Sequence, residues 1–282
     1  MTPAILPPSA GRAWIVQAWH LYRRQPGAFT ILAVVYSVLS SLLGLILPLV
    51  SFVLFLAITP TLMFLVLHVC RLASRDQPLL SLKTIDSFKA YSRNDIRTFL
   101  KLGGLYILGC LVLIGLLLLL IDRSQIEALR QMTETINAST APPPANDAVF
   151  ALLYVPLVLM LIALLWTPLL MMFSFAAALA VWQGHSVRKS LFFSFFACWH
   201  NWRPFAIYTL VWLGLAMGAA IGLAIIALVL PPLAFKLIFQ ALYLLAFVIS
   251  ACSLYPIYTN IFTPPPAAPA TEPATSFLDD QS

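Results

Sequence analysis

Six stretches of this chain, residues 28–47, 50–69, 102–121, 149–181, 205–230 and 237–255, run for 19 residues or more without one Lys, Arg, Asp or Glu. The hydrocarbon core of a bilayer is about 30 Å thick, so a crossing helix needs about 20 apolar residues. Within that core every backbone N–H and C=O must be paired inside the protein, which leaves helices as the natural spans for such runs. The expected fold is therefore all-α: a polytopic helical membrane bundle of six spans. Composition agrees, with 61% apolar and 9% charged residues, far too little polar cover for a water-soluble globule. The first two spans meet across Pro48-Leu49, a minimal hairpin. The fourth run has 33 residues, about 50 Å of helix at about 1.5 Å per residue. It should kink at Pro168 and carry its last turns beyond the hydrocarbon.

Lysine and arginine distribution sets the expected orientation. The segments before residue 28 and at 71–101 and 182–204 hold 13 of the 16 basic residues, and the alternate loops hold three. Basic loops stay inside, so both termini should be cytoplasmic, in a bacterial inner (plasma) membrane. The net charge of +6 follows from that topology and does not point to nucleic acid. The segment before Ala28 is too long, and has Trp14, Trp19, Arg23 and Arg24 in the wrong places, for a cleavable signal.

Three basic, aromatic pieces should form amphipathic helices in the cytoplasmic headgroup layer. They are Arg12–Gln25 within an N-terminal segment 1–27, Leu80–Phe99, and Val187–Arg203. Their Arg23, Arg24, Lys89, Arg93, Arg97, Arg188, Lys189 and Arg203 are candidate contacts for anionic lipid headgroups, each worth roughly 1 kcal/mol near the surface. Trp14, Trp19, Trp182, Trp199 and Trp202 would form the accompanying aromatic belt. The six spans then occupy residues 28–262. The loop 122–148 reads as a short helix ended by Pro142-Pro143-Pro144. The proline-rich tail 263–282 has no basic residue and reads as disordered and cytoplasmic.

One internal similarity stands out. Thr59-Pro60-x-Leu62-Met63 matches Thr167-Pro168-x-Leu170-Met171, and Ser87-Phe88-x-Ala90-x-x-x-Asn94 matches Ser194-Phe195-x-Ala197-x-x-x-Asn201, at offsets of 108 and 107 residues. Both copies would enter the membrane in the same direction, as a parallel internal repeat of about 108 residues. Pro60 and Pro168 break their helices at paired positions. Their ordinary role is a kink; their sharper one is to flank a binding site between repeats.

Ion-coupled or hydrolytic chemistry inside a membrane needs an ionisable group at depth. None of the ten acids falls within a span, and Lys101 and Lys236 sit at span ends. His68 lies near the end of the second span without an acid or a second His at helical spacing. His20, His185 and His200 do not form a ligand pattern, and neither do Cys70, Cys110, Cys198 and Cys252. No catalytic, cofactor-binding or metal-binding residue is assigned. The sharpest motif is Gly214-x-x-x-Gly218-x-x-x-Gly222. Small residues every four positions open a groove along one helix face, for packing within the bundle or for a dimer seam.

Trp14…Tyr22-Arg23-Arg24-Gln25-Pro26-Gly27 followed by an apolar hairpin resembles a family of uncharacterised integral inner-membrane proteins of β-proteobacteria. Pro168…Gly184-x-Ser186-x-x-x-Ser190-x-x-x-Ser194…Asn201 is more distantly similar to the non-catalytic membrane domains found with glycerophosphodiester phosphodiesterases. The resemblance implies an inner-membrane helical bundle and brings no catalytic residue with it. The expected role is a non-enzymatic, lipid-engaging or partner-binding module, with a protein partner or homo-oligomer in view. The alternative is a carrier or channel for a neutral or hydrophobic solute. More remote is a lipid-headgroup enzyme using Asp86, Asp95 or His200.

Overall fold

The apolar runs become helices whose ends are set by local breakers. In the computed structural model, α1 (Ala10–Arg24) stops at Gln25, and Pro26 starts α2 (Pro26–Ile46). Pro48 starts α3 (Pro48–Ser74), proline being suited to a first turn whose N–H has no partner in any case. Then follow α4 (Arg93–Leu120), α5 (Ala145–Phe173), α6 (Ala176–Trp182), α7 (Val187–His200), α8 (Trp202–Ala227) and α9 (Pro232–Phe262). The structure describes residues 3–81, 84, 86, 91–120, 130, 145–228 and 230–262, without the side chains of 120, 145–156 and 159. Among the described residues there is no strand, and six segments are long and apolar enough to span a membrane; α5 and α6 together supply the fourth. The tail 263–282, Lys89 and nearly all of the loop expected to carry a short helix lie outside the described residues.

Packing is concentrated at the end of the bundle that carries both chain termini. Helix α2 buries only Phe29 and Ala33, near its start. Apart from Ser51, α3 buries residues from Pro60 onward, and α9 buries residues from Val248 onward. One cluster joins Trp14, Phe64, Leu102, Phe175 and Ile257, and a smaller one joins Leu21, Phe29, Cys70, Leu79 and Cys252. At the opposite end Leu45, Leu119 and Leu228 stand almost fully exposed, which in a bilayer means exposed to lipid tails.

Helix α1 packs on α9, α8 and α3. Its Trp14 is completely buried against Phe205 and Tyr208, with ring centroids 5.1 and 6.2 Å away. Gly11 allows this approach, because a Cβ there would meet the Pro204 carbonyl oxygen. The preceding segment is pinned by Asn201, whose Oδ1 accepts from Leu6 N at 2.9 Å and whose Nδ2 donates to Ala4 O at 2.9 Å and Ala197 O at 2.8 Å.

One expectation is corrected, in the fourth span. It continues through Pro168 and breaks six residues later, at Ser174-Phe175. A proline forfeits only one ladder bond, and the helix runs on through Pro168; beside it Thr167 Oγ1 donates to Ala163 O at 2.6 Å. At the break the buried Ser194 donates to Met171 O at 2.7 Å and accepts from Phe175 N at 3.1 Å. Both freed backbone groups are thus satisfied by one hydroxyl. Helix α6 ends at Gly184 in the left-handed region, φ 66°, where glycine carries no Cβ penalty.

Candidate functional site

Helices α2, α3 and α9 do not close fully against one another, and a cavity of about 1320 Å³ remains between them. Phe29, Leu32, Ala33 and Tyr36 of α2 face Thr59, Leu62, Met63, Val66 and Cys70 of α3, with Phe247, Val248 and Ala251 of α9 on the third side. Among the described residues, no charged side chain and no histidine lines it. The lining of α3 extends from Thr59 to Cys70, twelve residues whose ends lie about 16 Å apart along the helix. That is close to half the hydrocarbon thickness, the depth of one leaflet.

Each end of this groove has a physical closure. At the deep end Tyr36 stacks on Phe247 at 5.8 Å with only 6° between planes, and Phe55 meets Tyr36 edge-on at 6.5 Å. At the terminal end Leu79, Leu80, Ser81 and Thr84 cross the opening. Gln25, at the joint of α1 and α2, holds that crossing segment: its Nε2 donates to Gln77 O at 2.7 Å and its Oε1 accepts from Leu79 N at 2.9 Å. An aliphatic chain could lie in such a groove.

The basic rim is more dispersed than the sequence suggested. Arg24 pairs with Asp76 at 2.9 Å and donates to Ser74 O at 3.1 Å. Arg23 is exposed nearby, and Arg93 and Arg97 are exposed on the first turns of α4, which runs directly into its span. A second ledge forms around α7. Arg188, Lys189, Phe192, Trp199, Trp202 and Arg203 are exposed there, with Lys189 over the Phe193 ring at 5.6 Å and Arg203 over Trp202 at 5.6 Å. Basic groups that rest on aromatic rings at this depth suit the headgroup layer. Trp182, expected in the same belt, instead packs between Phe64 and Tyr258.

The remaining candidates separate. Pro60 is buried within an unbroken α3 and borders the groove through Thr59 and Leu62; Pro168 does not line it. Gly214, Gly218 and Gly222 face open space, with no atom within 4 Å of a Cβ built on any of them, so packing within the bundle is not their role. His68 shares a 2.7 Å hydrogen bond with the Tyr91 hydroxyl. His185 rests on Phe193 at 5.6 Å and its pKa is lowered, first by burial and then by the Lys189 ammonium. His200 Nδ1 lies 2.8 Å from Phe196 O. Asp95 belongs to a helix cap, its Oδ2 accepting from Ser92 N and Oγ at 2.8 Å each. No group of three potential metal ligands comes together among the described residues. The four cysteines are buried and reduced, and burial pushes the Cys198 thiol up to about 12, which leaves it unreactive at neutral pH. The groove itself was missed by sequence reasoning, because its lining is ordinary span sequence and only Ala33 and Ala251, small residues on facing helices, hint at it.

No protein-family model and no solved structure matches the chain. A protein of Burkholderia thailandensis named as a probable inner membrane protein is 30% identical over 255 residues, covering 89% of this chain and 90% of the relative.

Proposed function

From the premise that this chain belongs to the family of the Burkholderia inner-membrane protein, we propose that it is a non-enzymatic membrane module that holds a bilayer phospholipid. The observation that carries this reading is the groove between α2, α3 and α9, uncharged in its described lining, about as long as one leaflet is deep and closed at its inner end. The acyl chains would occupy the groove, while the exposed basic and aromatic ledge around α7 would seat the bundle against anionic headgroups. Both termini would be cytoplasmic, since basic residues crowd their side of the bundle. The distant likeness of residues 168–201 to membrane domains found with glycerophosphodiester phosphodiesterases fits a role beside lipid chemistry performed by another protein.

A second reading is favoured by the position of Thr59 and Leu62, beside Pro60, on the groove wall. A carrier for a neutral hydrophobic solute could use a flexible α3 there. It would require the Tyr36–Phe247 stack to part.

Native mass spectrometry of the full chain, extracted gently from its own membrane, tests the proposal. Wild type should carry phospholipid at about one per chain after delipidation of the bulk annulus, and Ala251→Trp and Met63→Trp should each lose it while remaining folded. Equal lipid retention by wild type and both variants would remove the groove from the argument. A displaceable non-lipid molecule in its place would favour the carrier.

A further inference from the structure

On the opposite face of α3 from the groove lies a different kind of site. Arg71 projects from the last turns of α3, half-buried, with its Cζ 4.8 Å from the centroid of the Trp182 ring. Trp182 is itself fixed edge-on to Tyr258 at 5.2 Å and against the fully buried Phe64 at 5.4 Å. Tyr91 meets the same Phe64 at 5.3 Å and holds His68, while Gln183 Nε2 donates to the Tyr258 hydroxyl at 3.2 Å. Elements distant in sequence (α3, the entry to α4, α6 and α9) thus place one guanidinium in an aromatic recess at the terminal end of the bundle.

Among the described residues this guanidinium donates no hydrogen bond and has no carboxylate partner; Asp76, near it in sequence, pairs with Arg24. Asp95, at the entry to α4, is committed to Ser92. Stacking on an indole occupies the flat face of a guanidinium and leaves its five N–H donors free along the edge. Donors along such an accessible edge are placed to meet an anion that enters the recess. The planar fork matches two oxygens of one phosphate.

We propose that Arg71, stacked on Trp182, is the centre of a phosphate-binding site, with Gln183 and the Tyr91 and Tyr258 hydroxyls as neighbouring polar contacts. The phosphate can belong to a lipid headgroup or to a soluble compound, and both present the same oxygens. This site is independent of the acyl-chain groove, which opens on the other side of α3.

The test uses the full chain in dodecyl maltoside micelles, which carry no phosphate, with thermal unfolding followed in the presence of two probes: phosphatidylglycerol added to the micelles, or inorganic phosphate in solution. A ligand that binds the folded state raises the midpoint in proportion to its occupancy. Wild type should be stabilised by at least one probe. Arg71→Gln should lose affinity by about 10- to 100-fold, as expected for one bidentate charged contact. Arg71→Lys, which keeps the charge and the fold but not the fork, should fall between them. Arg188→Gln should leave most of the effect in place. Stabilisation by phosphatidylglycerol alone assigns a lipid headgroup, and stabilisation by inorganic phosphate as well assigns a soluble phosphate compound. No stabilisation of wild type by either probe overturns the site, and so does an equal response of wild type and Arg71→Lys. Ala251→Trp must keep the Arg71-dependent response even if it loses its groove lipid, which separates failure of this site from failure of the groove.

Discussion

Helices α4 and α8 each follow a segment carrying the same Thr-Pro-x-Leu-Met motif, yet α4 lies in the core and α8 at its edge. Gly103 of α4 sits where a Cβ would meet the Ala57 carbonyl oxygen, so α3 and α4 touch backbone to backbone. Leu102, Tyr106 and Cys110 of α4 are buried. Helix α8 buries only Pro204, and its glycine stripe faces open space. The hydrophilic positions diverge in the same way. Asn201 is wholly buried and pins the N-terminal segment, while its counterpart Asn94 is exposed. The difference teaches that a shared local motif decides where helices start and bend, while their neighbours decide which face is covered.

The sharpest way to break the comparison is Gly103→Val. With a backbone carbonyl in its path the new side chain must push α3 and α4 apart, at a cost of about 3 kcal/mol or more, and the purified protein should show a collapsed thermal midpoint or fail to accumulate. Next comes Asn201→Leu, which removes three hydrogen bonds at a buried position and strands the groups they served. The expected loss is about 2–4 kcal/mol, accompanied by faster hydrogen exchange at Leu6; unchanged exchange there would show that the segment is held by other means.

Ser194→Ala should cost about 1–3 kcal/mol, since Phe175 N loses its partner and Met171 O keeps only the long contact from Cys198 Sγ at 3.9 Å. Its counterpart near the first copy, Ser87, lies outside the described residues, and Ser87→Ala measured beside it would show whether both copies use the serine alike. The smallest effect belongs to Gly218→Ile, where nothing obstructs the new side chain. The monomer's midpoint should move by less than about 0.5 kcal/mol, against the much larger loss at Gly103. A drop as large as that of Gly103→Val would mean that α8 packs tightly on some surface in solution.

Much of the architecture was legible before any coordinates, for identifiable reasons. Uncharged runs longer than 18 residues leave a chain little choice in a bilayer, so all six spans were found. Proline was a poorer guide. Pro168 was expected to break the fourth span, but the break falls at Ser174-Phe175, where a serine 20 residues onward can serve the freed backbone groups. Tryptophan was similarly ambiguous. Trp199 and Trp202 stand at the exposed ledge as expected, whereas Trp14 and Trp182 turn inward. An indole suits both an interface and a core, and sequence spacing cannot distinguish them.

The candidate sites were less visible still. The groove lining is chemically indistinguishable from lipid-facing sequence, and Arg71 looked like one more basic residue after a span. Its significance depends on Trp182, 111 positions away, and on Tyr258, further again.

By itself, then, the sequence determined the solvent, the class and the number of crossings, because burial of backbone polar groups in hydrocarbon is a local demand that each segment must meet from its own residues. Which helix faces meet, where a groove stays open, and which cation is left beside an indole were decided only by tertiary structure. Those outcomes depend on close approach between segments remote in the chain, and an apolar side chain satisfies lipid and protein neighbours about equally well.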